Sequence, residues 1–267
     1  MSSAPSEPVP APGMRVVRTA LRVLESVSEL QPAGVSAIAR ATGVPKSTVQ
    51  RCLVSLREAG WISAAPGEPQ RWVLTGRAVA VGLRGAPEHG LREAALDVMQ
   101  ELRDATRETI HLVGFSPEHA VASAAGPAAL VVIDRLDSPE PVRTWVRLGT
   151  PVPLHASCSG RAVLSRLPEA EARALLGDGL ERFSAQTITD PDELVAELRA
   201  VRARGYAVAE SSWRAGVGAV AAAVVDGTGR PVGALAVSAP QQRFDAGRAE
   251  ELGALAIMAV ARVGAAL

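Results

Sequence analysis

Two apolar-periodic segments joined by a three-residue break constrain this chain more than any other feature. Ile38 and Ala39 belong to a short helix expected over Ser36–Thr42, and Gly43 closes it, where a positive φ is easily housed. Pro45 can sit in the first turn of the next helix, where its missing N–H costs nothing. That helix is expected to run to about Ala59, with Gly60 as its stop. Val49, Cys52, Leu53 and Leu56 recur at three- and four-residue spacing and define one apolar face. Two helices so spaced must touch near Ala39, with Val49 and Cys52 in the shared core.

The flanking segments complete a small domain. Val16, Val17, Ala20, Leu21, Val23, Leu24, Val27 and Leu30 repeat at helical spacing, and Gln31-Pro32-Ala33-Gly34 ends that helix. Trp61–Ala64 and Arg71–Leu74 read as two strands around the turn Pro66-Gly67-Glu68-Pro69. Three helices plus a hairpin make a winged helix-turn-helix, expected over residues 14–75. Its third helix then points an N-terminal face outward as a major-groove reader does. Gln50 can pair with adenine, Arg51 with guanine, and Thr48 can offer its methyl to thymine. Ser47 and Lys46 suit phosphate, and Arg71 on the hairpin can reach a neighbouring backbone or the minor groove. Lys46 is the single lysine among 28 basic residues, and a lysine is a mobile point charge that meets phosphate without fork geometry.

Charge follows the same division. The chain is formally neutral, yet Met14–Arg84 holds ten basic against four acidic residues, and Gly85–Leu267 holds 18 against 23. A basic small domain beside a mildly acidic larger one is the asymmetry expected when one part meets a polyanion. Two cysteines, Cys52 and Cys158, make no disulfide framework and fit a reducing cytoplasm. The Pro/Ala/Ser-rich residues 1–13 read as a disordered tail without a signal peptide's basic start or apolar core. No apolar run reaches the roughly 18 residues a membrane span needs.

Arg77–Leu83 is expected to be a short linking helix within residues 76–88, with the break at Gly85-Ala86-Pro87 and a larger domain over 89–267. There a helix restarts at Leu91 and runs to about Thr106. Ile110–Phe115, Ala120–Ala124, Leu130–Leu136, Tyr206–Ala209, Val217–Val225 and Val232–Ser238 read as strands, with Ser116-Pro117-Glu118-His119 as the first turn. Ser159–Leu167, Glu169–Leu176, a helix opened by Asp190-Pro191-Asp192-Glu193, and a last helix from about Asp245 to Ala266 alternate with them. The pattern is an antiparallel sheet with helices packed on it, so the chain as a whole is a two-domain α+β protein.

Four segments resemble one family. They are IARATGVPKSTVQR within Ala37–Arg51, LGTPVPLHASCSGRAVL (Leu148–Leu164), ITDPDELVAELRAVRARGY (Ile188–Tyr206) and VSAPQQRF (Val237–Phe244). With these, the chain resembles transcriptional regulators of the isocitrate-lyase-regulator (IclR) family over nearly its whole length from Val16. The resemblance implies a first domain that binds palindromic operators in double-stranded DNA. It implies a GAF-like second domain that binds a small effector and helps form dimers or tetramers; no cofactor or metal is expected. It also implies an effector pocket bordered by Leu154, Cys158 and Ser159, by Ala209 and Glu210, by Ala219, and by Ala236 and Ser238.

Departures from the family pattern bear on the effector. Ser211 and Ser212 stand where an acidic pair is frequent, and Ala219, Ala223 and Ala236 replace a frequent Cys or polar residue, a Pro and a Ser. With Trp145 and Trp213 near in sequence, the expected effector is larger and more apolar or aromatic than a two- or three-carbon keto acid. From local chemistry, Ser159-Gly160 leads into a helix whose free N–H groups would favour a carboxylate. A tight turn with a capped helix reads equally well there.

Rival chemistries are weaker. His155 and Cys158 stand three apart, as a thiolate and its activating imidazole could, but no third group is evident to orient the ring. His89, His111, His119 and His155 are scattered without metal-ligand spacing, and no phosphate-cradling GxxxxGK[ST] or dinucleotide fingerprint is present. A winged domain that serves only protein contacts is the third reading, and it would be insensitive to salt, whereas phosphate-driven DNA binding is not.

Overall fold

The computed structural model describes residues 14–85, 88–117, 121–123, 126–177 and 179–267. The expected tail 1–13, Glu118 and His119 of the expected turn, and Ala120 and Ala124 of an expected strand lie outside them. The chain divides into two compact units, Met1–Ala86 and Pro87–Leu267.

The first unit runs α1 (Arg15–Leu30), β1 (Ala33–Gly34), α2 (Val35–Thr42), α3 (Lys46–Glu58), β2 (Ile62–Ala65), β3 (Glu68–Leu74) and α4 (Gly76–Gly85). Val23 and Val27, four apart on α1, close over Ile38 of α2, Val49 and Leu53 of α3, and Ile62 of β2. The turn between α2 and α3 is built on Gly43 at φ 67°. From α1, Arg22 donates Nη2 to the Thr42 carbonyl at 2.7 Å, filling one of the acceptors that a helix end leaves open. Pro45 stands one residue before α3 rather than within its first turn: its backbone is extended (ψ 139°), and its carbonyl accepts from the N–H groups of Thr48 and Val49. The hairpin turn is confined to Pro66-Gly67, with Glu68 and Pro69 already in β3. The two-residue β1 pairs with β3, Ala33 opposite Trp72, so the wing is a three-stranded sheet in the order β1-β3-β2.

The second unit runs α5 (Glu88–Thr106), β4 (Thr109–Phe115), β5 (Val121–Ser123), β6 (Gly126–Ala128), β7 (Leu130–Leu136), α6 (Cys158–Leu164), α7 (Glu169–Leu176), α8 (Pro191–Arg204), β8 (Ala207–Glu210), β9 (Val217–Val225), β10 (Pro231–Pro240) and α9 (Ala246–Ala265). Five strands form an antiparallel sheet in the order β7-β4-β10-β9-β8. The expected strand over Ala120–Ala124 does not join that sheet. It is the short β5, which among the described residues pairs with β6 in a separate ribbon.

Alternation along the central strands sorts their side chains onto two faces. Ile110, Leu112, Val220, Val224, Leu235 and Val237 meet α5 and α9 on one face. Ala219, Ala221, Ala223 and Ala236 meet Cys158 and Ala162 of α6 on the other. Covered on both sides, β4, β9 and β10 are buried almost end to end, and β9 is a continuous run of Val, Gly and Ala. Asp190 caps α8 by accepting from Asp192 N and Glu193 N, with Pro191 at its first position. Among the described residues no helix is long and apolar enough to cross a membrane.

A side chain at Gly43 would meet open space but would have to hold positive φ, at a cost of about 1–2 kcal/mol. Gly43→Ala should therefore raise hydrogen–deuterium exchange of the Val35–Glu58 amides about tenfold, and leave β4, β9 and β10 unchanged.

Candidate functional site

The first unit presents one face of α3. Val49, Cys52, Leu53 and Leu56 are buried, while Lys46, Ser47, Gln50 and Arg51 are exposed and Thr48 is half-buried. Beside this face lies a groove of about 860 Å³, walled by the start of α2, by Gln50 and Arg57 of α3, and by Pro69, Gln70 and Arg71 of the wing. Three exposed arginines, Arg40, Arg57 and Arg71, line it. Gln50 and Arg71 thus share the groove, whereas Lys46, Ser47, Thr48 and Arg51 lie on α3 outside its lining. Arg71 is held in place, its Nε 2.8 Å from Glu68 and its Nη1 donating to the Pro32 carbonyl. The Arg57 guanidinium lies over the Trp72 ring at 5.9 Å. Arg57 went unread from the sequence although it stands seven residues, two helical turns, after Gln50, a spacing that puts both on one side of the helix.

The second unit encloses a cavity of about 60 Å³ against the alanine face of the sheet. Trp145, Cys158, Ser159, Ala209, Ala219, Ala236 and Ser238 all line it. Leu154 and Glu210 do not. Glu210 follows Ala209 on β8 and so points to the opposite side, exposed, with its carboxylate near Gln241 Nε2. Leu154 packs with the cluster of Val152, Val163 and Leu164, and its backbone lies so close to Gly160 that a Cβ there would stand 2.2 Å from the Leu154 carbonyl oxygen.

The start of α6 is less open to an anion than its sequence suggests. The helix begins at Cys158, and Ser157 is its cap: Ser157 Oγ accepts from Gly160 N at 2.9 Å and donates to the Pro153 carbonyl. The Cys158 thiol is buried, which pushes its pKa up to about 11. His155 turns elsewhere, with Nε2 2.8 Å from the Glu181 carbonyl and its ring beside Phe183. A neutral thiol without an imidazole partner is no nucleophile. Among the described residues no cluster of three metal-ligating side chains exists.

The centre of the cavity wall is His111, read from the sequence only as one of four scattered histidines. Its Nε2 accepts from Val146 N at 3.1 Å, which leaves the proton on Nδ1, 3.4 Å from Ser238 Oγ. Ser238 Oγ lies 2.8 Å from Thr144 Oγ1, which donates in turn to the Ser238 carbonyl. Burial, with Arg135 and then Arg214 nearby, brings the His111 pKa down from 6.5 to about 4. The chain of bonds is therefore neutral at pH 7, and it tethers residues 144–146 over the cavity. Arg135 and Arg214 complete the tether by donating to the carbonyls of Val146 and Trp145 at 3.0 and 2.6 Å. On the far side Ser212 Oγ donates to the Ala156 carbonyl, and Thr187 Oγ1 donates to the Ser212 carbonyl. The hydroxyl at one of the two positions where an acidic pair was expected is thus consumed in holding the 211–214 loop. Val113, Val132 and Trp213 supply apolar walls.

Comparison with known proteins gives both units the same kinship. Residues 16–66 match the IclR helix-turn-helix domain, and residues 85–264 match the C-terminal domain of the bacterial transcriptional regulator IclR. The chain belongs to the IclR family. It is a DNA-binding transcriptional regulator whose activity is modulated by a small-molecule effector, in a class of non-enzymatic proteins. The acetate operon repressor of Salmonella typhimurium is 29% identical over 245 residues, covering 91% of this chain and 86% of its own. An IclR-type regulator from Alicyclobacillus acidocaldarius superposes with a TM-score of 0.78 at 25% identity, over 95% of this chain and 99% of that one. An IclR homologue from Microbacterium hydrocarbonoxydans, crystallised with 4-hydroxybenzoate, shares the fold at 24% identity and a TM-score of 0.75, over 94% and 98% of the two chains.

The sign of the pH dependence follows from His111. As pH falls below about 6.5, an unfolded chain takes a proton on this ring while the folded chain refuses it until about pH 4. Stability is therefore lost across that window, on the order of 3 kcal/mol in total. His111→Gln, which keeps an acceptor for Val146 N but cannot titrate, should flatten the fall in melting temperature between pH 6.5 and 4.

Proposed function

We propose that α3 enters the major groove of a near-palindromic operator, where Gln50 and Arg51 read base edges and Thr48 meets a thymine methyl. Lys46, Ser47 and Arg71 contact phosphate or the adjacent groove, and Arg40 and Arg57 extend the cationic track along the backbone. The observation that carries this reading is the division of α3 into a buried apolar face and an exposed polar, cationic one beside a groove lined by three arginines. A palindromic site calls for two copies of the chain. The exposed apolar residues Val16, Val17 and Leu21 on α1, with Met14 just before it, support a homodimer or homotetramer.

The second unit acts in this reading as a GAF-like effector domain of a cytoplasmic regulator. Its cavity takes a small carboxylate-bearing molecule with an aromatic or aliphatic body. The Trp145 and Trp213 walls and the alanine floor support an apolar body, and the volume of about 60 Å³ favours a compact one. The single-ring acid held by the Microbacterium homologue has that character. The effector must favour one arrangement of the DNA-binding units over another, since equal affinity for both would shift nothing. The helix α4, which connects the units in sequence, is the proposed lever.

Fluorescence anisotropy on promoter fragments across a salt series tests the DNA face. Gln50→Ala or Arg51→Ala should each relax discrimination at one base pair by about 1–3 kcal/mol. Lys46→Ala should weaken all sequences alike and reduce the salt slope by about one. Footprints left unchanged by the first two variants would put a different face in the groove.

A further inference from the structure

Most polar side chains of the cavity are already bonded within the fold. Ser157 caps α6, Ser212 bonds Ala156, and His111, Ser238 and Thr144 satisfy each other in a neutral chain. With the thiol of Cys158 and the ring of His111 both uncharged at pH 7, one ionised side chain remains in the lining, Arg214. It is exposed at the cavity mouth. One Nη1 hydrogen goes to the Trp145 carbonyl at 2.6 Å, and its guanidinium lies over the Trp213 ring at 6.0 Å. Among the described residues no carboxylate stands within ion-pairing distance of it, whereas neighbouring Arg135 has Asp137 at 2.6 Å. A guanidinium carries five donors in a fork that matches a carboxylate, so Arg214 keeps a bidentate edge for a ligand.

We propose that Arg214 is the anion-binding residue of this cavity, and that the ligand is a compact monocarboxylate whose apolar body lies inward against Trp213, Val113 and Ala236. This rests on the reading above that the effector occupies the cavity, and it replaces the start of α6, whose Gly160 N–H is already taken, with a side chain as the carboxylate's partner. One positive charge in an otherwise uncharged lining selects one negative charge; a dicarboxylate would place its second charge where no second cation stands. The same guanidinium holds the Trp145 carbonyl, so the anion binds on a residue that also tethers the 144–146 segment. Occupancy is thereby read out as a change in how firmly that segment is held.

Calorimetric titration of the full chain with benzoate, and with its neutral near-isostere benzamide, tests the proposal. Wild type should bind benzoate about 10- to 100-fold more tightly than benzamide, the contribution of a charge-assisted pair. Arg214→Gln should abolish that preference by weakening benzoate alone, and Arg214→Lys, which keeps the charge and loses the fork, should retain part of it. Phthalate should bind more weakly than benzoate. A preference that survives in Arg214→Gln, or equal binding of acid and amide by wild type, overturns the assignment of Arg214. Ala219→Leu, which fills the cavity, separates the two readings. If it abolishes binding of both compounds while wild type does not distinguish them, the cavity holds the ligand and Arg214 is not its anchor. If it leaves binding intact, or if neither compound binds wild type, the cavity reading fails and the proposal with it.

Discussion

The antiparallel pairing of β10 with β4 on one side and β9 on the other is the contact on which the second unit depends. A strand in the middle of a sheet, covered on both faces, must bury every side chain it carries, and alternation then makes each face uniform. Here one face is branched and long, Leu235 and Val237 among Val220, Val224 and Leu112, and it packs against α5 and α9. The other is small, Ala236 among Ala219, Ala221 and Ala223, and it lets α6 lie close to the sheet. The cavity opens where the small face runs past the start of α6. The pairing also sets Ala236 opposite His111, which places an imidazole at the cavity's centre.

A buried imidazole has to be neutral or paired, and this one is neutral because burial, with Arg135 and Arg214 nearby, disfavours the charged ring. The backbone N–H of Val146 fixes the tautomer, and the hydroxyls of Ser238 and Thr144 carry the hydrogen-bond chain to a backbone carbonyl. The result is that His111, Ser238 and Thr144, the polar part of an otherwise largely apolar lining, have their bonds already made. In the proposed reading, selectivity falls to shape and to the one guanidinium at the mouth. A cavity with few spare donors rejects polar competitors by leaving their groups unpaired, which costs more than an imperfect apolar fit.

In the first unit the corresponding constraint is the α2–α3 turn. Gly43 takes the left-handed backbone, Arg22 ties α1 to the last carbonyl of α2, and the apolar side of α3 is locked into the core by Val49 and Leu53. With that side fixed, the opposite side has no choice but to face outward. The wing then presents Arg71 on the same groove as Gln50, held there by Glu68 and the Pro32 carbonyl.

Local pattern determined much of this by itself. The three helices and hairpin of the first unit, the exposed side of α3, the caps at Gly43 and Asp190, and most strands of the second unit follow from periodicities of two and 3.6 and from Gly and Pro, which act within a few residues. The tertiary structure alone decided what depends on register and on crossings between distant segments. It brought His111, Thr144, Trp213 and Arg214 to one cavity, turned Glu210 away from it by a single step of strand alternation, closed the start of α6 with Ser157, and set Arg57 beside the wing. Those outcomes are absent from any short window because folding brings together residues far apart in the chain, His111 standing 35 positions from Val146 and 127 from Ser238, and only the folded chain fixes which ones.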